Sequence, residues 1–170
     1  MFRKIKPEEW QDNPISLIGQ DWALLTAVKP DGTSNPMTVS WGGVGVLWHK
    51  PVCTVYIRPQ RYTHEFSEVG NRISLCFFPS EKKEVLNYCG RVSGREADKV
   101  KECGLTPVSE KGHVYYEEAR VVLLCRKIYV DGIKPEGFLE AEPRDHYYPA
   151  KDYHTVYVCE IEEVLTKDKK

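Results

Sequence analysis

Two short stretches carry cations beside hydroxyls and glycine, a combination suited to holding an anion. The first is "RPQRYT", residues 58–63, with Arg58, Arg61, Tyr62 and Thr63. It closes a β-prone run and precedes a predicted helix for which Thr63 is a good N-cap. The start of a helix offers unpaired N–H groups and the positive end of the dipole, so arginine, hydroxyl and amide donors there suit a phosphate. The plainer reading is a solvated strand end with ordinary capping. The second stretch, "RVSGREADK" at 91–99, repeats the pattern: Ser93 supplies a hydroxyl, Gly94 permits close backbone approach, and Arg95 and Lys99 supply charge. Arg95 and Lys99 are spaced i, i+4 and share one face if the helix has begun by then, whereas Asp98 could neutralise its neighbour. The formal net charge is only −1, so these cations describe a pocket and not a basic surface. No nucleic acid and no anionic membrane is expected as a partner.

A third stretch, "NPMTVSW" at 35–41, begins with Asn35 and reads as a strand. Met37, Val39 and Trp41 then point one way and Thr38 and Ser40 the other. Such a strand suits a flat aromatic ligand that needs edge donors and an apolar neighbour, or it is a barrel strand with one wet face. Other chemistry has little support. There is no G-x-S-x-G elbow. The five histidines are scattered, and His154 draws interest because it stands where a long excursion returns to the last strand. "GGVGVLW" lacks the third glycine of a dinucleotide loop, and Pro51 follows too soon for a helix to open there. The six cysteines contain no CxxC and fall mostly in apolar runs, where thiols pack as small hydrophobes. No metal site is expected. Cys89 and Cys103, near predicted helix ends, are the thiols best placed to react.

The elements that must position these residues are mostly strands. "WALLTAV", "PVCTVYIR", "RISLCFF", "HVYYEEARVVLLCRKIYV" and "YHTVYVCEIEEVL" have β-type patterns, several apolar on both faces, as in a closed or packed barrel. Three helices are predicted: "THEFSEVG" capped by Thr63, "SEKKEVLNYCG" capped by Ser80 and ended by Gly90, and "READKVKECG" stopped by Gly104. About seven strands with three short helices indicate a mainly β fold, a barrel with helical insertions, and not a doubly wound sheet. The 170 residues suit one domain, read as an N-terminal extension (1–14), a body (15–166) and a charged tail (167–170). Residues 130–152, rich in Pro, Gly and acid, read as a long loop insertion. The charged start has no signal-peptide core and no run is long enough to span a bilayer, so a cytoplasmic location is expected.

Taken in order, "NPMTVSW", "KPVCTVYIRPQRYT" (50–63) and "GRVSGREADK" (90–99) resemble the flavin reductase-like family of FMN-binding split-barrel proteins, which includes the flavoredoxins. The resemblance extends over about residues 15–130 and resumes at "YHTVYVCEIEEV". It implies a six-stranded, Greek-key-like split β-barrel, usually a homodimer, with FMN near the subunit interface. By the same resemblance Asn35, Met37, Thr38, Val39, Ser40 and Trp41 line the isoalloxazine and ribityl region. Arg58, Arg61, Tyr62, Thr63, Ser93, Arg95 and Lys99 surround the phosphate, and His154 lies near the flavin. "CEIEEV" lacks the glycine of many relatives, and the 130–152 excursion is longer and more acidic than usual. The expected activity is an oxidoreductase passing electrons from NAD(P)H through FMN to free flavin or another acceptor. The alternatives are a flavoredoxin-like carrier served by a protein electron donor, and a non-catalytic flavin-binding or storage protein.

Overall fold

Alternation decides which way each buried strand faces. In the computed structural model, which describes residues 1–167, Arg72–Phe77 (β6) sends Ile73, Leu75 and Phe77 into one apolar core and Cys76 into a second. Val121–Gly132 (β9) does the same, with Val121, Leu123 and Cys125 on one side and Val122 and Leu124 on the other. All six residues of Ala23–Val28 (β2) are buried. These strands have no polar face because one side forms the barrel interior while the other is covered by a helix and a hairpin.

The main sheet has eight strands in the order β3-β2-β6-β9-β10-β5-β4, with β1 attached to β10. The strands not yet placed are Arg3–Ile5 (β1), Ser34–Val39 (β3), Gly42–Leu47 (β4), Lys50–Ile57 (β5) and Thr155–Thr166 (β10). All pairings are antiparallel. Strand β10 pairs with β9 along its whole length, and its other edge is shared by β5 (from Thr155 to Glu160) and β1 (from Val164 to Thr166). Register shifts at Val158/Cys159 and Ile161/Glu163 bend it between these partners, as bulges do in barrels. The residues expected to be an N-terminal extension thus contribute a strand to the sheet. A separate hairpin, Pro107–Glu110 (β7) with His113–Tyr116 (β8), and Lys83–Arg91 (α3) cover the second core. The fold is a mainly β split barrel, with "GGVGVLW" forming strand β4 and not a nucleotide loop.

The helices depart from their predicted bounds for local reasons. A three-residue turn, Pro14–Ser16 (α1), is capped by Asn13. Helix α2 runs from Tyr62 to Val69 and stops before Gly70, but its N-cap is Arg61, which places Thr63 inside the first turn. Helix α3 follows a 3-10 turn at Ser80–Lys82, takes no cap from the Ser80 side chain, and continues through Gly90 to Arg91. The third predicted helix shrinks to Lys99–Glu102 (α4), because the Asp98 carboxylate caps it by accepting from Lys101 N–H at 3.1 Å. Residues 93–97 instead fold back on the Ser93 carbonyl, which accepts from Glu96 N–H at 3.0 Å. Arg95 and Lys99 therefore do not share a helical face, and Asp98 serves as a cap. The 130–152 stretch is not one loop: β9 extends to Gly132, a 3-10 turn covers Pro135–Gly137, and Ala141–Tyr147 is helical (α5). Asp168 to Lys170, most of the expected tail, lie outside the described residues.

Candidate functional site

The chain turn between β5 and α2, the turn between α3 and α4, and the middle of β3 converge at one point. Asn35 of β3 donates from Nδ2 to Thr63 Oγ1 at 2.7 Å, and both residues are buried. That bond leaves the threonine hydroxyl proton available. Gly94 closes down on Asn35 so tightly that a Cβ at this position would overlap Asn35 Oδ1 and press on the Tyr62 ring. The glycine thus serves the close approach its type suggested, bringing Ser93 and Arg95 beside the start of α2. No side chain caps α2, which leaves first-turn amides for another acceptor.

Of the five cations of the two basic stretches, Arg91 is exposed and donates to the Asn87 carbonyl of its own helix at 3.4 Å, and the other four sort into two kinds. Arg58 donates to Asp152 Oδ2 at 2.5 Å and to the Tyr147 carbonyl at 2.8 Å. Arg95 is exposed, pairs with Glu65 and lies over the Tyr62 ring with 4.8 Å to the centroid. Arg61 and Lys99, in contrast, have no carboxylate partner among the described residues. Arg61 donates to the carbonyls of Gly90 at 2.8 Å and Cys89 at 3.3 Å. Lys99 is buried (3% exposed) and donates to the Pro36 carbonyl and, at 3.5 Å, to the same Cys89 carbonyl. Burial pushes Lys99 down to about 8, and the charge of Arg61 adds to that fall. Burial lowers Arg61 as well. Carbonyl dipoles soften these two neighbouring charges, one buried and one half-buried, but do not neutralise them, and an anion between them would.

The strand "NPMTVSW" is used differently from the sequence expectation. Met37 and Val39 point into the barrel core, at 5% and 7% exposure, so only their backbone can meet a ligand. The Thr38 hydroxyl is spent on α3, donating to the Leu86 carbonyl at 2.5 Å. The strand ends at Val39, so the alternation stops before Trp41; Ser40 is half-buried and Trp41 is exposed. Trp41 instead joins an aromatic group of Tyr147 (centroids 5.1 Å apart) and His154 (5.2 Å). His154, immediately before β10, is buried and shares a 2.8 Å hydrogen bond between Nδ1 and the Tyr148 hydroxyl. Burial, reinforced by the nearby charge of Arg58, pushes it down to about 4, so the ring is neutral at ordinary pH.

Two groups therefore stand side by side: an anion-seeking cluster of Asn35, Arg61, Thr63, Ser93, Gly94 and Lys99, and an aromatic one around Trp41 and His154. Gln60 joins them, since its amide donates to Asp152 Oδ2 at 2.7 Å while its carbonyl accepts from Arg95 at 3.3 Å. Sequence reasoning missed Gln60, Tyr147, Tyr148 and Asp152. The "RPQR" setting hinted at the first, but the other three lie far along the chain and carry no local signal. Among the described residues no cluster of His, Cys, Asp or Glu is arranged to hold a metal ion. Among them, too, no helix is long and apolar enough to cross a membrane.

Solved structures with this fold include flavoredoxin from Methanosarcina acetivorans, with 21% identity and a TM-score of 0.67 over 87% of this chain and 69% of that one. Flavoredoxin of Desulfovibrio vulgaris (Miyazaki F) matches with 19% identity and a TM-score of 0.69, covering 96% and 78% of the two chains. An FMN-binding protein from Thermus thermophilus with bound p-hydroxybenzaldehyde matches with 19% identity and a TM-score of 0.69, over 98% and 82%. No curated protein matches by sequence. The model of the flavin reductase like domain matches residues 15–170, and the chain belongs to that family.

Proposed function

We propose that the chain binds FMN and acts as a flavin reductase-like oxidoreductase, taking reducing equivalents from NAD(P)H and passing them to free flavin or another acceptor. The observation that carries this reading is the pair of cations, half-buried Arg61 and buried Lys99, held only by backbone carbonyls. Their donor set fits a phosphate monoester: two cations, the Thr63 and Ser93 hydroxyls and an uncapped helix start. When bound, FMN accepts a hydride and releases electrons onward, so the protein need only bind, orient and shield it. Lys99 and Arg61 hold the phosphate, Asn35 fixes the Thr63 hydroxyl, and Trp41 with neutral His154 provides an apolar, uncharged neighbour for the ring. Exposed apolar side chains at the end of β4 and on β9, with Trp48 and Tyr129 in edge contact at 6.1 Å between centroids, offer a surface suited to a second copy of the chain, which supports a homodimer.

A flavoredoxin-like carrier with a protein electron donor is the second reading. It is favoured by the 133–153 segment, which lays Tyr147 against Trp41 and is tied down by Arg58 through Asp152, narrowing access for a nucleotide. Anaerobic mixing of the FMN-loaded protein with NADH or NADPH decides between them. Bleaching of the flavin at a catalytic rate supports the reductase. Reduction by a protein donor alone supports the carrier, and a protein that takes up no FMN refutes both.

A further inference from the structure

We propose that Cys89 and Cys103 are a redox-active pair whose oxidation to a disulfide remodels the anion site. Their sulfurs lie 4.0 Å apart, one at the end of α3 and the other at the C-cap of α4. The consequence for flavin rests on the reading above, whereas the bond itself does not. The other cysteines in contact, Cys53 with Cys125 at 3.5 Å and with its cross-strand partner Cys159, are all sealed in the barrel at 0% exposure, where no solvent-borne oxidant reaches them. Cys103 differs from the other five cysteines in being only half-buried, so a solvent-borne oxidant reaches it first.

The pair is wired into the site by backbone. Cys89 lends its carbonyl to both Arg61 and Lys99. Cys103 closes the four-residue helix that begins with Lys99, and its N–H donates to the Lys99 carbonyl at 3.0 Å. A disulfide requires the sulfurs at about 2.05 Å, so they must approach by about 2 Å. Cys89 is locked in the second core at 0% exposure. The movement therefore falls on α4, which is short and followed by Gly104 at φ +59°. Lys99 travels with α4 and leaves the carbonyls of Pro36 and Cys89, dismantling half of the cationic pair.

The chemistry balances with a peroxide as oxidant. The Cys103 thiolate attacks the O–O bond of hydrogen peroxide, becoming a sulfenic acid and releasing water after proton uptake. The Cys89 thiol then displaces a second water to form the S–S bond, so two thiols lose two electrons and peroxide becomes two waters. Burial raises both thiols, Cys89 to about 12, while the Lys99 charge opposes the rise at each. The reaction is correspondingly slow at neutral pH and resists casual air oxidation.

The test treats the purified protein with hydrogen peroxide, blocks remaining thiols under denaturing conditions and maps the crosslinks by peptide mass. FMN is titrated into the reduced and oxidised forms in parallel. The expected result is one crosslink, Cys89–Cys103, with FMN binding weakened about tenfold or more, the loss of one charge-assisted contact, and restored by dithiothreitol. Cys103→Ser, or Cys103→Ala should the serine variant misfold, retains FMN binding after peroxide. Crosslinking without a change in affinity, or overoxidation of Cys103 with Cys89 still a thiol, overturns the proposal. If the reduced protein takes up no FMN, the flavin reading fails separately, and inorganic phosphate replaces FMN as the probe of the same site.

Discussion

Replacing Lys99 by Met removes a buried charge and keeps a side chain of similar length. Its folded pKa of about 8 lies below the ordinary 10.5 of a lysine in the unfolded chain. Below pH 8 both states carry the proton and the cost of burying it is fully present. Between pH 8 and 10.5 the unfolded chain retains a proton that the folded chain has released, so stability from this residue rises with pH across that window. The shift from 10.5 to about 8, at ~1.4 kcal/mol per unit, is on the order of 3 kcal/mol. In the variant that cost disappears, offset by about 1 kcal/mol for the lost lysine hydrogen bonds, since the Pro36 carbonyl keeps Asn35 Nδ2 at 3.3 Å and the Cys89 carbonyl keeps Arg61 at 3.3 Å. Denaturant unfolding of flavin-free wild type and Lys99→Met, taken from pH 7 to 10.5 with the variant as reference, isolates this group from the other titrations. The wild type should gain on the variant by on the order of 3 kcal/mol over that range. FMN affinity at pH 7 should fall about 10- to 100-fold in the variant, the loss of one charge-assisted contact. A flat difference in stability would show that Lys99 is not a desolvated cation, and an unchanged affinity would remove it from the phosphate site.

Gly94→Ala places a methyl on Asn35 Oδ1 and pushes the 93–97 turn away from α2, so FMN titration should show at least about tenfold weaker binding, with a melting point only a few degrees lower. Gly70→Ala is the contrasting case: its methyl would overlap the Val28 backbone carbonyl, which cannot swing aside, and soluble folded yield should collapse. His154, held down at about 4 against 6.5 when unfolded, loses on the order of 3 kcal/mol of stability as pH falls from 6.5 to 4, because the unfolded chain takes the proton first. His154→Gln should unfold with a much flatter acid dependence over that range, measured by circular dichroism. Trp48→Asp puts a charge among the exposed apolar residues, so on the homodimer proposed above analytical ultracentrifugation should show a dimer for the wild type and a monomer for the variant, and a monomeric wild type would refute that proposal.

The barrel strands were legible where alternation was unambiguous, as in "RISLCF", because two apolar cores leave no room for a polar face. The same two-sidedness hid the role of Met37 and Val39: a side chain pointing inward looks the same in sequence whether it meets a ligand or a core. Arg61 and Lys99 stood out by type and context. Their division from Arg58 and Arg95 did not, since the deciding carboxylates are Asp152, 94 positions from Arg58, and Glu65, 30 positions from Arg95. The late start of α4 was written locally, in Asp98 three residues before an amide it caps, but a run of i, i+4 charges competes with that signal.

Gln60 gives the two halves of the site a common hinge. Its side-chain amide is bound to Asp152 and its backbone carbonyl to Arg95, so one residue touches both halves and ordering it for one contact lowers the entropic cost of the other. Thermodynamic reciprocity then applies: whatever an anion near Arg95 contributes to fastening the aromatic segment, the fastened segment returns in affinity for the anion. Opening of the aromatic segment and release of the anion would thus be a single coordinated event, and the residence time of the ligand would be set by the slower of two latches.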